Sequence, residues 1–322
     1  MRIAPFQTRR PLHRLASLIV ISLAGLSLAS SHEVLLQGNG KLAKVNAKGE
    51  ITWEMPWGGI HDIQVLPSGN IMLQQDMKKV VEIDPKMKEV VWSYDCSTSN
   101  GNEGKKLEVH AFQHLKNGNI MIAESGPARI IEIDREGKLL KEFKLKVDKP
   151  GAHTDTRLAR KLDNGHYLAC HESDGTLREY DSAGKVVWEY TVPLFDKEEK
   201  GGHGLEAFGN RLFSAVRLPN GNTLIGTGNG HSVIEVTPEK KIVWQLHQDD
   251  LKDIRFAWVT TLEVLPNGNY VIGNCHAGPG NPLLIEIEPK SKKVVWTFDH
   301  FETFGNSVPN SQLLDLAGKT LR

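Results

Sequence analysis

The chain lacks an excess of charge of either sign: 39 Lys and Arg balance 39 Asp and Glu across 322 residues, and the basic residues are scattered. That balance excludes the basic stripe of a nucleic-acid-binding protein. Cysteine is scarce. Cys96, Cys170 and Cys275 include no close metal-type pair, and an odd number leaves at least one thiol unpaired. A disulfide framework is thereby excluded, and the three are expected to be buried small hydrophobes. Long apolar runs are missing as well. The uncharged stretch from Leu15 to Leu28 follows Arg2, Arg9, Arg10 and Arg14 and precedes Ala29-Ser30-Ser31. At about 14 residues it falls short of the roughly 18 to 20 that span a bilayer. The expectation is an export signal over residues 1–31, removed by a peptidase, with a periplasmic or secreted destination in a bacterium and no membrane span afterwards. Thr8-Arg9-Arg10-Pro11-Leu12 also resembles a twin-arginine signal, so both export routes stay open.

What the sequence does have is repetition. Six β-type runs end in an aromatic at intervals of roughly 40 to 55 residues: Trp53, Trp92, Phe143, Trp188, Trp244 and Trp296. A second mark keeps the same period, with Leu-Pro-Ser-Gly-Asn at 66–70, Leu-Lys-Asn-Gly-Asn at 115–119, Leu-Asp-Asn-Gly-His at 162–166, and Leu-Pro-Asn-Gly-Asn at 218–222 and 265–269. Four strand signals per period is the signature of a β-propeller. Within a unit, strands a and b flank the Ser-Gly or Asn-Gly turn, read here as a two-residue hairpin. Strands c and d flank a second turn, such as Asp84-Pro85-Lys86.

The first unit has no strand a. The missing strand lies at the other end, where Ser311 to Asp315 follows Trp296 with no b, c or d behind it. Pairing it beside Glu33 to Gln37 closes the ring and removes two exposed sheet edges. The fold expected is all-β: a six-bladed propeller of four-stranded blades, a single domain over residues 32–322, its first blade closed by the C-terminal strand.

This topology sorts the polar residues. The a strands line the central channel, and their starts open on the same face as the b-to-c loops, whereas the a-to-b and c-to-d turns lie on the opposite face. At or before the a strands stand His61-Asp62, His110, His153, Arg157, His203, Trp258 and Asn306; on the b-to-c loops stand His171-Glu172, His231 and His276. His61 and His110 each precede their turn glycine by eight residues, as do Arg157 and Thr260, so these share one register in different blades. Imidazoles are not needed for sheet pairing. Around a narrow channel they offer metal ligands, general acids or bases, or nucleophiles. His61, His110, His153, His171, His203 and His276 are therefore expected to border one pocket over the channel.

Glu179 to Trp188, with Glu-Tyr-Asp followed by Gly-Lys-Val-Val-Trp, resembles the repeat of propellers of the quinoprotein alcohol dehydrogenase type, and the likeness extends over 33–316. The quinone-dependent dehydrogenases have eight blades, a vicinal cysteine pair and a calcium or lanthanide carboxylate site. With six blades and no adjacent cysteines, pyrroloquinoline quinone is disfavoured here, and the cofactor is left open with a divalent metal among the options. The run from His61 to Asn70, His-Asp-x-x-x-Leu-Pro-Ser-Gly-Asn, resembles the blade start of bacterial arylsulfotransferases, exported six-bladed propellers. That resemblance implies a histidine that accepts a sulfuryl group, with His61, His110, His153 and Arg157 as the catalytic candidates.

Three functional classes follow. As a binding module, a monomer would dock a small molecule, a glycan or an exported protein on the histidine face, with Asp62, His171, His203, Trp258, His276 and Asn306 as further contacts and Trp57 as a second stacking anchor. As an enzyme, it would carry out group transfer or metal-assisted hydrolysis or elimination. As a scaffold, its channel mouth would be plugged.

Overall fold

The computed structural model describes Met1 and residues 31–322; the leader proposed over residues 1–31 lies almost wholly outside the described residues. Six four-stranded antiparallel sheets form the blades of a ring. The a strands are Ser311–Leu313, Ile63–Val65, Glu108–His114, Ala159–Lys161, Ser214–Arg217 and Trp258–Val264. The first belongs to blade 1, where Val34 pairs with Leu313 and Leu36 with Ser311, so the C-terminal strand completes the sheet begun near the N-terminus. Among the described residues no helix is long and apolar enough to cross a membrane.

The core lies between neighbouring blades. Leu66, Met72 and Val80 of blade 2 pack on Phe112, Ile122 and Ile131 of blade 3, and the other interfaces repeat the arrangement. Alternation explains it: b and c strands such as Ile71–Gln75 and Arg129–Ile133 are buried on both faces, while the outer d strands alternate. The three cysteines are free and buried. Burial pushes the Cys275 thiol up to about 12.

The tryptophans lock blade to blade. Trp53, Trp92, Trp188 and Trp244 each donate an indole N–H to a c-to-d turn carbonyl of the next blade, at Pro85, Arg135, Pro238 and Pro289, over 2.7 to 2.9 Å. In five blades the tryptophan pairs with a residue at a β-bulge, as Glu82 with Trp92 and Glu179 with Trp188. Blade 3 departs from the expected repeat: Lys141, not Phe143, occupies that place opposite Glu132. Phe143 stands two residues further on, in the row of Tyr94, Tyr190 and Phe298. A two-residue step keeps it on the same strand face, so its ring still wedges between blades. It lies against Gly184, where an added Cβ would fall 2.6 Å from the ring.

The recurrent a-to-b turn also differs from the expected two-residue hairpin. Leu66 N–H donates to Asn70 and Gly69 N–H to Leu66, both at 2.8 Å, closing a three-residue loop. Only the glycine has positive φ, +87° at Gly69 and +85° to +88° at its four equivalents. This is a type I turn followed by a left-handed glycine, which tolerates the Pro at the first turn position.

Candidate functional site

The shared register of His61, His110 and Arg157 brings the three side chains together at the loop end of the channel. The His61 and His110 rings meet edge to face with centroids 4.5 Å apart. His153 adds a third ring, 5.9 Å from His61 and 5.5 Å from His110. Arg157 Nη1 lies 3.4 Å from His61 Nε2, and its guanidinium sits over the Phe213 ring at 5.7 Å. Phe213 also faces His61, at 6.0 Å.

Local structure explains how each side chain arrives. His110 is the extra residue of a β-bulge: Val109 pairs with Glu124 and Ala111 with Ala123, leaving His110 unpaired in the ladder. Bulges re-aim side chains in this way. Buried Asp155 fixes the loop that carries His153, taking the Ser125 hydroxyl and, at 2.8 Å, the Gly126 N–H. Thr154 and Asp155 N–H groups close the same loop onto the Gly151 carbonyl at 2.8 and 2.9 Å. Arg157 is held by an ion pair with Glu172, both buried, and exposed Arg211 approaches the other Glu172 oxygen at 3.9 Å.

The electrostatics disfavour the charged forms of His61 and His110. Burial, then His110, Arg157 and His153, push His61 well below the usual histidine range. Burial lowers His110 too, and its contact with Glu108 offsets only part of that. Burial raises the Glu108 carboxyl, but contacts with His110 and His153 outweigh it and hold the group at about 2. His61 Nε2 faces the Arg157 guanidinium and so accepts, which leaves Nδ1 as the N–H; that atom is buried and has no partner among the described residues.

The remaining expected residues divide. His203, His276 and Trp258 form a second group on the loop face, with His203 centroids 5.1 Å from His276 and 4.6 Å from Trp258. Asn306 belongs with it through its backbone carbonyl, which accepts the His276 N–H at 2.7 Å. Arg211 stands between the two groups: its carbonyl would be 1.9 Å from a Cβ added at Gly228, and Trp258 lies 3.5 Å from the same point. His171 joins neither group. It is fully buried, with Nδ1 donating to the Asp155 carbonyl and Nε2 against the Tyr180 hydroxyl, both at 2.8 Å. Burial lowers its pKa to about 4. Asp62 is taken up as a strut, accepting Arg160 Nη1 and Nη2 at 2.7 and 2.8 Å across the channel. Trp57 donates to the Gln74 carbonyl at 2.9 Å and packs on the blade 1 and 2 core.

Three residues escaped the sequence reading. Phe213 also stands eight residues before its turn glycine, Gly221, so the register that found His61 applies to it. Glu108 lies two residues before His110. Its carboxylate reaches His110 Nε2 and His153 Nδ1, each at 2.8 Å. Arg211 carries no repeat signal; only the approach of blade 5 to Glu172 places it.

Comparison with known proteins bears on the fold more than on the site. A protein of unknown function from Bacteroides caccae is similar in structure, with 22% identity, 88% of this chain and 98% of that chain covered, and a TM-score of 0.71. A streptogramin B lyase is 13% identical over 84% of this chain and 83% of its own, at a TM-score of 0.54. A catalytically inactive virginiamycin B lyase from Staphylococcus aureus, solved with quinupristin, is 11% identical over 90% and 97%, at 0.55. At these identities the likeness is one of propeller fold. No curated protein sequence matches the chain. A family model does match, from the first blade through the last d strand: over residues 38–298 the chain belongs to the PQQ-type repeat family described as outer membrane protein assembly factor BamB.

Proposed function

We propose that the protein binds a small anionic molecule at the loop end of the channel, beneath a rim formed by His153, Arg211 and His203. The observation that carries this reading is His61: a buried ring N–H without an acceptor among the described residues, set among His110, His153, Arg157 and Phe213. A buried donor left unpaired costs about 1 to 3 kcal/mol, and a ligand oxygen accepting from it recovers that cost. Exposed Arg211 supplies charge beside it, Phe213 an apolar wall, and the His203, Trp258 and His276 group a second set of contacts.

Binding is favoured over transfer of a group to histidine. At His61 and His110 no lone pair is open to a substrate, because both rings are buried, His61 with Nε2 turned to Arg157 and His110 with Nε2 turned to Glu108. The reading includes export through the segment at 1–31, a monomeric state and no quinone cofactor.

The test is a thermal-shift and calorimetric series with sulfate, a phosphate monoester and a hexuronate, on wild type, His61→Ala and Arg211→Ala. A ligand at a hundredfold excess over its Kd should stabilise wild type by about 2.7 kcal/mol, and both variants should lose most of that. Equal responses from wild type and variants, or no response to any anion, would sink the proposal.

A further inference from the structure

Anion binding leaves Glu108 without a role, although it is the residue that joins two of the histidines. We infer that Glu108, His110 and His153 hold a divalent transition-metal cation of the zinc class at the channel mouth. This deepens the binding reading and rests on it for location only.

The argument begins with hydrogen counting. His110 Nδ1 lies 2.8 Å from the Thr156 carbonyl, which can only accept, so Nδ1 carries the ring proton. In a neutral ring, Nε2 then presents a lone pair, and it points at Glu108 Oε2 from 2.8 Å. The same carboxylate oxygen lies 2.8 Å from His153 Nδ1. His153 Nδ1 can donate its own proton there, but the His110 Nε2 lone pair facing the carboxylate needs a proton or a cation between them. A backbone carbonyl on Nδ1 is also the outer contact that fixes the tautomer of a metal-binding histidine and turns Nε2 to the ion.

Geometry agrees. With metal–nitrogen and metal–oxygen distances of about 2.0 to 2.2 Å, neighbouring ligand atoms stand roughly 2.9 to 3.4 Å apart. Both contacts of Glu108 fall within a few tenths of an ångström of that, while the remaining pair, within 4.8 Å, closes on a common ion only when the exposed His153 ring turns inward. The scaffold is firm on two sides: the bulge sets His110, which is 1% exposed, and Asp155 anchors the loop carrying His153. Glu172 pairs with Arg157, so the neighbouring guanidinium does not leave the mouth with an unbalanced positive charge. A two-histidine, one-carboxylate set supplies three ligands and leaves coordination positions for outside oxygen donors. An anionic ligand could then bridge the cation and the His61 N–H.

The full chain, stripped with a chelator, would be titrated with Zn²⁺ and with Co²⁺. We expect one equivalent to bind, Co²⁺ to develop visible d–d absorption, and Glu108→Gln and His153→Ala each to weaken binding at least about tenfold. Metal-free melting of His153→Ala should match wild type, because that side chain is 61% exposed, so lost binding would not reflect lost fold. Zn²⁺ and Co²⁺ binding that is absent from wild type, or equally weak in wild type and both variants, would overturn the inference and leave a proton-held cluster. Anion binding that persists in metal-free protein and in Glu108→Gln would overturn the bridge between cation and anion while sparing the anion site. One equivalent of metal with no anion response would do the reverse.

Discussion

At the turn end of the channel the charged groups are tied to one another and to the C-terminal segment, with only Arg322 Nε left over among them, whereas the loop end keeps an imidazole N–H and a shared carboxylate in reserve. Asp62 receives both Arg160 nitrogens, and Arg322 donates to the Ile63 and Ser311 carbonyls at 2.8 and 2.7 Å. Leu321 exchanges N–H···O bonds with Val264, and the Thr320 hydroxyl donates to Glu263, so the C-terminal segment closes that end. Cavities of about 190 and 700 Å³ remain there, sharing Gln113, Arg160 and Arg322 in their linings. The tryptophan locks reach c-to-d turns on this same face. At the loop end stand an unpartnered His61 N–H and a carboxylate shared by two imidazoles. The same strands supply both ends. One end is built to hold the ring shut, and the other carries groups that ring closure does not use.

The comparison can be broken most severely by deleting residues 307–322, which removes both the closing strand and Arg322. The edge of Val34–Gly38 would be bared, and aggregation is expected. A soluble product with an unchanged melting temperature would show that the turn end does not hold the ring. Asp62→Ala comes next, stranding the Arg160 guanidinium beside a buried gap. Urea denaturation should register a loss of about 3 to 5 kcal/mol, and a loss under about 1 kcal/mol would contradict the strut. Trp188→Ala removes a half-buried ring and its bond to Pro238, and should cost roughly 2 to 4 kcal/mol in the same assay. A neutral substitution there would mean that the outer locks are ornamental.

Smaller effects sharpen the contrast. His32 contacts Glu286 at 3.0 Å and Asp315 at 2.9 Å. Burial lowers its pKa, but the two carboxylates outweigh burial and raise it above 6.5. Its contribution is therefore fully present below about pH 6.5 and is lost as pH rises through the raised value. Melting temperatures of wild type and His32→Gln should converge between pH 6 and 9. A constant difference would remove His32 from the closure. At the loop end, His153→Ala should alter stability by no more than about 0.5 kcal/mol while weakening metal binding at least about tenfold. A large destabilisation would make the two ends alike.

Much of this was legible before the fold was known, because blades repeat and the repeat has a fixed register. Counting eight residues back from the turn glycine placed His61, His110 and Arg157 side by side, and the lone strand at Ser311 placed ring closure. The same count reaches Phe213 in blade 5. Phe143 marks the limit of such counting: aromatic spacing chose it, while strand pairing gives the tryptophan place to Lys141. The expected set of six histidines also lost a member, since His171 bonds Asp155 and Tyr180 in the interior.

Blade number, strand order and the face on which the histidines lie follow from the sequence alone, because period-two alternation and turn glycines act over a few residues. Partners across the ring were decided by the tertiary structure. Asp62 and Arg160 are 98 positions apart, and His61 and Arg157 are 96. His110 enters the mouth through a bulge, and Glu108 meets His153 only because blade 3 and the loop after it turn toward the same axis. Local rules determine which strand a side chain sits on. Packing the blades into a closed ring determines which side chain it meets, because that contact depends on the rotation between blades and on no pattern within one of them.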